Sequence, residues 1–154
     1  MADAAIYTYI AQNPFFENLS EPYLALISSH ATSCSYGAQQ RVFQQDAAAD
    51  AFFIVRQGSV ALEVPAVSGT PLNLQTVRDG QVLGWSWLIP PYRWLFDARA
   101  IEPSTLVVVD GKKMRAACDE DPQLGYDLLR RFAGLMSARL NTARLAAVRQ
   151  YQGG

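Results

Sequence analysis

The sequence predicts a mainly β domain, a sandwich, barrel or jelly roll, with short helices before it and one long helix after it. Three observations predict it. Short β-rich runs between residues 51 and 110 follow one another closely, with turn residues between them. The first thirty residues carry helix punctuation instead. From Asp121 onward apolar residues recur at helical spacing almost to the end of the chain.

The elements follow in order. Residues 3–12 and 20–30 read as short helices, the second in "LSEPYLALISSH" with Ser20 as N-cap, Pro22 in its first turn and Leu24, Leu26 and Ile27 as its apolar positions. "AFFIVRQGSVALEV" reads as two strands joined as a hairpin at Gln57-Gly58, with Val60, Leu62 and Val64 alternating along the second. "VSGTPLNLQTVRDG" continues the pattern, with Leu72 and Leu74 on one face and turns at Ser68-Gly69 and Asp79-Gly80. Two further strands are expected, Trp94 to Ala100 and Thr105 to Asp110. Asp121 then caps a helix with Pro122 at its first position, and Leu128, Phe132, Leu135, Met136, Leu140 and Ala143 mark its apolar side. At about 26 residues it is roughly twice the mean helix length, and such a helix usually has a partner along part of its length. The Gly153-Gly154 tail ends it.

The 154 residues suit one domain spanning 1–154, with no internal repeat or linker. Half the residues are hydrophobic and 18% are charged, which is too apolar for disorder. A net charge of −1 gives no broad electrostatic grip on nucleic acid. Arg130, Arg131, Arg139, Arg144 and Arg149 cluster near the C-terminus and read as a solvated helix face. Cys34 and Cys118 lie far apart without metal or redox spacing, as expected of reduced thiols. No apolar run reaches the ~20 residues of a membrane span, and "MADAAIYTYIAQ" lacks the features of a signal peptide. A cytoplasmic protein with no membrane association is expected.

Catalytic chemistry is hard to assemble from these residues. His30 is the only histidine, so Ser-His-Asp, Cys-His and multi-histidine metal sites have no material, a metal-dependent cupin enzyme included. His30 reads as a helix-end imidazole, favoured by the negative terminus of the helix dipole. Asp119, Glu120 and Asp121 read as negative charge at a helix N-terminus, which accounts for them without acid-base chemistry. No phosphate loop ending in Gly-Lys-Ser/Thr is present. No catalytic residue, metal ligand or cofactor is expected.

One stretch stands apart. "GWSWLIPPYRWLFDARA", Gly84 to Ala100, holds all three tryptophans, Trp85, Trp87 and Trp94, with Phe96 and two prolines among few charges. The order of helices, β-roll and long C-terminal helix resembles the cyclic nucleotide-binding domain, nearest to the sensory half of the catabolite activator (Crp/Fnr-type) regulators. The likeness covers nearly the whole chain, from "NPFFENLSEPYLALISSHA" to the last helix. In "YGAQQRVFQQDAAADAFFIVRQGSVAL" Gly37 and Gly58 fall at that family's turn glycines, and Phe43 begins its Phe-x-x-Gly-Asp segment, where Asp46 and Ala47 replace Gly-Asp. "GQVLGWSWL", Gly80 to Leu88, is similar to the Gly-x-x-Phe-Gly-Glu-x-x-Leu entrance of its phosphate-binding cassette. The implied fold is a double-stranded β-helix, or jelly roll, with N-terminal helices over 1–30, a β-roll with cassette over 31–111 and a C-terminal dimer helix over 121–149.

The tryptophan-rich stretch then occupies the cassette. Family members bind the ribose through a Glu after the cassette glycine. They bind the cyclic phosphate through an Arg and a small hydroxyl residue, with backbone N–H groups at a short helix N-terminus. Here Trp85 stands at the Glu position, Trp94 at the Arg position and Leu95 at the hydroxyl position. Arg93 and Arg99 are near, but strand alternation puts both opposite Trp94 and Phe96. Each lost charge-assisted hydrogen bond is worth roughly 1.5–3 kcal/mol, so losing both charged partners implies about a thousandfold weaker nucleotide binding.

Gly84, Trp85, Ser86, Trp87, Arg93, Trp94, Leu95 and Phe96 are therefore the candidate site. Two arrangements are open: a pocket plugged by Trp85, Trp87, Trp94 and Phe96, or a re-tooled apolar ligand site anchored by Ser86 and backbone N–H groups. The expected function is a non-enzymatic regulatory or sensor module without cyclic AMP binding. The alternatives are a nucleotide receptor with an atypical pocket and a dimeric protein-interaction scaffold. A small-molecule ligand or a protein partner is expected. Resemblance also implies a homodimer through the last helix, since Leu128, Phe132, Leu135, Met136 and Leu140 cannot all face the roll; the alternative is a helix folded wholly onto its own domain. The family's DNA-binding helices would follow Gly154, so no nucleic-acid binding is expected of this chain alone.

Overall fold

The computed structural model describes residues 4–153; residue 3 of the expected first helix and Gly154 of the expected tail lie outside the described residues. Two helices open the chain, α1 (Ala4–Gln12) and α2 (Glu21–Ser29), with one 3-10 turn over Pro14–Phe16 between them. Eight strands follow: β1 (Ala31–Tyr36), β2 (Arg41–Phe43), β3 (Ala51–Gln57), β4 (Ser59–Val64), β5 (Leu72–Arg78), β6 (Val82–Leu83), β7 (Asp97–Ala100) and β8 (Ser104–Asp110). The chain ends in α3 (Gly111–Glu120) and α4 (Pro122–Gly153). The strands form two antiparallel four-stranded sheets, β1-β8-β3-β6 and β2-β7-β4-β5, facing each other as a jelly roll. The mainly β fold with flanking helices and a long C-terminal helix is thus the one the sequence predicts.

Alternation along β3 divides the interior in two. Phe53 and Val55 point into the roll, where they meet Val60, Leu62, Val77, Leu83 and Leu106. Phe52 and Ile54 point outward into a second core made with Ile6 and Ile10 of α1, Leu24 and Ile27 of α2, Met114 of α3, and Leu124, Leu128 and Phe132 of α4. The helices therefore cover one sheet face and are held by apolar burial, with a few directed bonds fixing their placement. Asn13 receives the Phe15 N–H and donates to the Gly80 carbonyl at 2.9 Å, and the Tyr23 hydroxyl donates to Asp121 at 2.7 Å. Ser20 occupies the N-cap position of α2, though its hydroxyl makes no capping bond, and His30 is its C-cap.

Five expectations are corrected. β3 and β4 do not form a hairpin: they lie in different sheets, and Gly58 carries the chain round the corner between them. Its φ of +122° is open to glycine, and a Cβ there would stand 2.1 Å from the Ser104 hydroxyl oxygen. The strand expected over Trp94 to Ala100 begins only at Asp97, because Trp94 is bonded as a loop, with its N–H to the Ala47 carbonyl and its carbonyl to the Asp46 N–H. Asp119 and Glu120 close α3 rather than open a helix; only Asp121 acts at an N-terminus, accepting the Gln123 and Leu124 N–H groups. The last helix runs 32 residues rather than about 26. The arginines on it are not all solvated: Arg131 pairs with Asp127 and donates to the Phe15 carbonyl, and Arg139 is only 8% exposed.

Candidate ligand pocket between the roll and the long helix

The tryptophan-rich segment begins where β6 ends. Gly84 takes a φ of +93°, and a Cβ there would come within 2.9 Å of the Trp94 ring, so glycine serves both the turn and the close approach. A 3-10 turn over Ser86–Leu88 follows, held by the Leu88 N–H on the Trp85 carbonyl, and Ile89 ends it ahead of Pro90-Pro91. The backbone of this segment is fixed by a residue that sequence reasoning did not single out. Arg115 of α3 donates to the carbonyls of Trp87 and Ala49, pairs with Asp50 at 3.1 Å and lies over the Tyr92 ring.

Seven of the eight candidate residues separate into three groups, and Arg93 stands apart from them. Trp87 is fully buried in the helix-side core, 5.3 Å from the Phe52 ring and 5.5 Å from the Phe132 ring, centroid to centroid; it is far from being a pocket wall. Trp94 turns into the roll and stacks on Phe43. Ser86 and Gly84 are buried beside them. Trp85, Leu95 and Phe96 reach a third place, the rim of an open cavity of about 540 Å³ between the roll and α4. Leu62 of β4 and Leu74 and Gln75 of β5 form its floor, and Ala133, Met136, Ser137, Arg139, Leu140 and Ala143 of α4 form its other wall. Trp85 meets Phe96 edge to face at 5.5 Å.

The cation in the cavity lining, Arg139, is one that the sequence assigned to a solvated helix face. Arg93 is exposed and donates to the Asp46 carbonyl at 2.9 Å. Arg99 makes two bonds to the Glu63 carboxylate, at 3.0 and 2.7 Å, and donates to Gln39. Those bonds hold Glu63 below the usual carboxylate range and Arg99 above its ordinary value. Neither arginine lines the cavity. Arg139 does, and the sequence held a signal for it: it continues the four-three-four spacing of the buried side, Leu128, Phe132, Leu135, Arg139. Burial pushes its guanidinium down to about 10, so it is charged at neutral pH. One of its nitrogens donates to the Val82 carbonyl, while Nε and Nη1 have no partner. Its charge lies 5.9 Å from the centre of the Trp85 ring.

An eight-stranded roll with a glycine turn at Gly84 and a long C-terminal helix defines a class of regulatory domains. The chain belongs to the cyclic nucleotide-binding domain family, whose sequence profile matches residues 33–121. Solved structures agree. A candidate cyclic nucleotide-binding protein from Geobacter metallireducens GS-15 is 26% identical, with a TM-score of 0.76 over 83% of this chain and 92% of that one. The N-terminal domain of a transcriptional regulator from Streptomyces coelicolor A3(2) is 18% identical, with a TM-score of 0.67 over 86% and 93%. The regulatory subunit of a cAMP-independent protein kinase A from Trypanosoma brucei is 12% identical, with a TM-score of 0.68 over 82% of this chain and 45% of that one. No curated protein sequence matches this chain significantly. Among the described residues no helix is long and apolar enough to cross a membrane.

Proposed function

We propose that this domain is a non-enzymatic sensor module that binds neither cyclic AMP nor cyclic GMP and acts as a homodimer through α4. The observation that carries the reading is the cassette's lack of an available cation. Trp94 is packed inside the roll, Arg93 is committed to a backbone carbonyl and Arg99 to Glu63. A cyclic phosphate desolvated at Gly84 would find neither cassette arginine free to meet it, and a buried unpaired charge is not tolerated. The Trypanosoma brucei neighbour is described as cAMP-independent, so the fold is compatible with regulation without that nucleotide.

The dimer is supported by an apolar stripe on α4, of which Ala133, Met136, Leu140 and Ala143 also wall the cavity. Leu129, Ala133, Met136, Leu140, Ala143 and Ala147 recur at alternating spacings of four and three, the seam of a two-stranded coiled coil, and all are at least partly exposed. A seam of this kind is self-complementary about a two-fold axis. Titration calorimetry with cyclic AMP and cyclic GMP tests the nucleotide reading: no heat of binding is expected up to about 1 mM, a level corresponding to roughly 4 kcal/mol of affinity. Micromolar affinity for either nucleotide overturns it in favour of a receptor with an atypical pocket.

A further inference from the structure

The cavity between the roll and α4 is almost wholly apolar, yet it holds a buried charge with no carboxylate partner among the described residues. Its lining offers three polar side chains only, Gln75, Ser137 and Arg139. Arg139 is 92% buried (8% exposed), pairs with no carboxylate among the described residues, and leaves Nε and Nη1 without partners. Gln75 Oε1, in the same lining, is also buried and unpartnered. Burying a cation costs far more than one backbone carbonyl returns, and native structures leave such groups unsatisfied chiefly where something else completes them. The two orphan groups ask for an anion and for a hydrogen-bond donor, and the walls around them ask for an apolar body. The Trp85 ring, 5.9 Å from the guanidinium, gives it only a partial counterpart.

We propose that this pocket takes one small molecule with an apolar, ring-sized body, a single anionic head and one hydrogen-bond donor, and that Arg139 holds the head while Gln75 accepts from the donor. The proposal rests on the reading that the cassette holds no cyclic nucleotide, and moves the anion anchor from the cassette to the long helix. A volume of about 540 Å³ lies within the usual range for small-ligand sites. The mainly apolar lining suits an aryl or alkyl body better than a sugar. A ligand held this way touches β4, β5 and α4 together.

Two fluorescent probes that differ in charge alone test it on the full chain: 8-anilinonaphthalene-1-sulfonate, which has the ring body, the donor and an anion, and N-phenyl-1-naphthylamine, which lacks only the anion. The sulfonate is expected to bind at one per chain and at least tenfold more tightly than the neutral probe. Arg139→Gln is expected to bring the two affinities within about twofold of each other. Equal affinities in the wild type, or an anion preference that survives Arg139→Gln, overturns the proposal. Should Arg139→Gln fail to fold, Ser137→Trp, an exposed wall residue, serves instead: it must block both probes, and unchanged binding overturns the proposal. A dimer that takes up neither probe assigns this face to the second copy and also overturns it. Cyclic AMP added to the sulfonate complex is a separate arm. Displacement at micromolar concentration defeats the nucleotide-free reading, while the Arg139→Gln comparison still decides the anchor.

Discussion

The indole of Trp94 lies flat on the ring of Phe43, with centroids 3.8 Å apart and planes 11° from parallel. Phe53 joins them at 5.8 Å from Phe43 and 6.1 Å from Trp94, and Trp94 itself is 4% exposed. This stack fills the part of the roll directly beneath the cassette glycine. Trp94→Ala is expected to cost about 3–5 kcal/mol, as for other large aromatics removed from a core. Urea unfolding measures it, and a change below about 1 kcal/mol would show that the ring is not structural.

The corner at Gly58 gives a second prediction. A methyl group there would meet the Ser104 hydroxyl at 2.1 Å and the Ser104 backbone at 2.8 Å, with the backbone at a φ of +122°. Gly58→Ala is expected to cost about 1–3 kcal/mol in backbone strain and a similar amount in overpacking. Ser104→Gly in the same chain should relieve part of the second cost and none of the first. Denaturation of the single and double variants separates the two.

Glu63 carries a pH dependence. Its hydrogen bonds from Arg99, helped by the nearby charges of Arg99 and Arg41, hold its pKa in the folded protein below the ordinary 4.5. A carboxylate depressed on folding contributes stability that is complete above its unfolded value and lost as pH falls through its folded one. The stability of the wild type should therefore decline below about pH 5, and Glu63→Gln should flatten that decline while lowering stability at neutral pH. Denaturant midpoints across the acid range show whether the two curves converge, as they must.

The seam on α4 predicts mass. Light scattering should give about 34 kDa, twice the chain's 17.0 kDa, at micromolar concentration. Leu140 is 72% exposed in the single chain, so Leu140→Glu should cost the fold little and shift the mass to that of one chain. A wild-type chain that runs at 17.0 kDa ends the dimer reading.

Much of the architecture was legible because burial imposes periods on the sequence. Alternation marked β4 and β5, and the spacing of Leu128 and Phe132 marked the packed side of α4. Partnering was less legible than propensity. Gln57-Gly58 carries the composition of a two-residue turn, and nothing local tells a turn within one sheet from a corner between two. α3 was missed because "GKKMRAACDE" has one large apolar residue, Met114, and so no visible stripe; its place is set instead by the Asp110 cap on Lys113 and by the Gly111 N–H on the Asp50 carbonyl. At the site, the gathering of aromatics was plain, but their division was not. Trp85, Trp87 and Trp94 are close in sequence, and a tight turn with a 3-10 segment sends them to three different surroundings. Asp46 shows the same limit from the other side: it holds a φ of +70°, so the backbone keeps a glycine-like bend with a different side chain.

The long helix is held more firmly in its first half than in its second, where Arg139 alone among the described residues is buried and bonds the Val82 carbonyl. Leu124, Leu128 and Phe132 are sunk in the core and Asp121 is tied to Tyr23, whereas Leu140, Leu145 and Val148 are exposed. Gly134 stands between these halves, at a point where a Cβ would meet nothing within 4 Å. From there to the end of α4 the helix extends about 28 Å, at roughly 1.5 Å per residue. A bend there would make the distal half a lever beside the pocket wall. A tilt of about 5° at Gly134, small enough to leave every helical hydrogen bond in place, carries the far tip through about 2.5 Å. A sub-ångström adjustment at Arg139 would thus be delivered, enlarged, to whatever meets the distal turns.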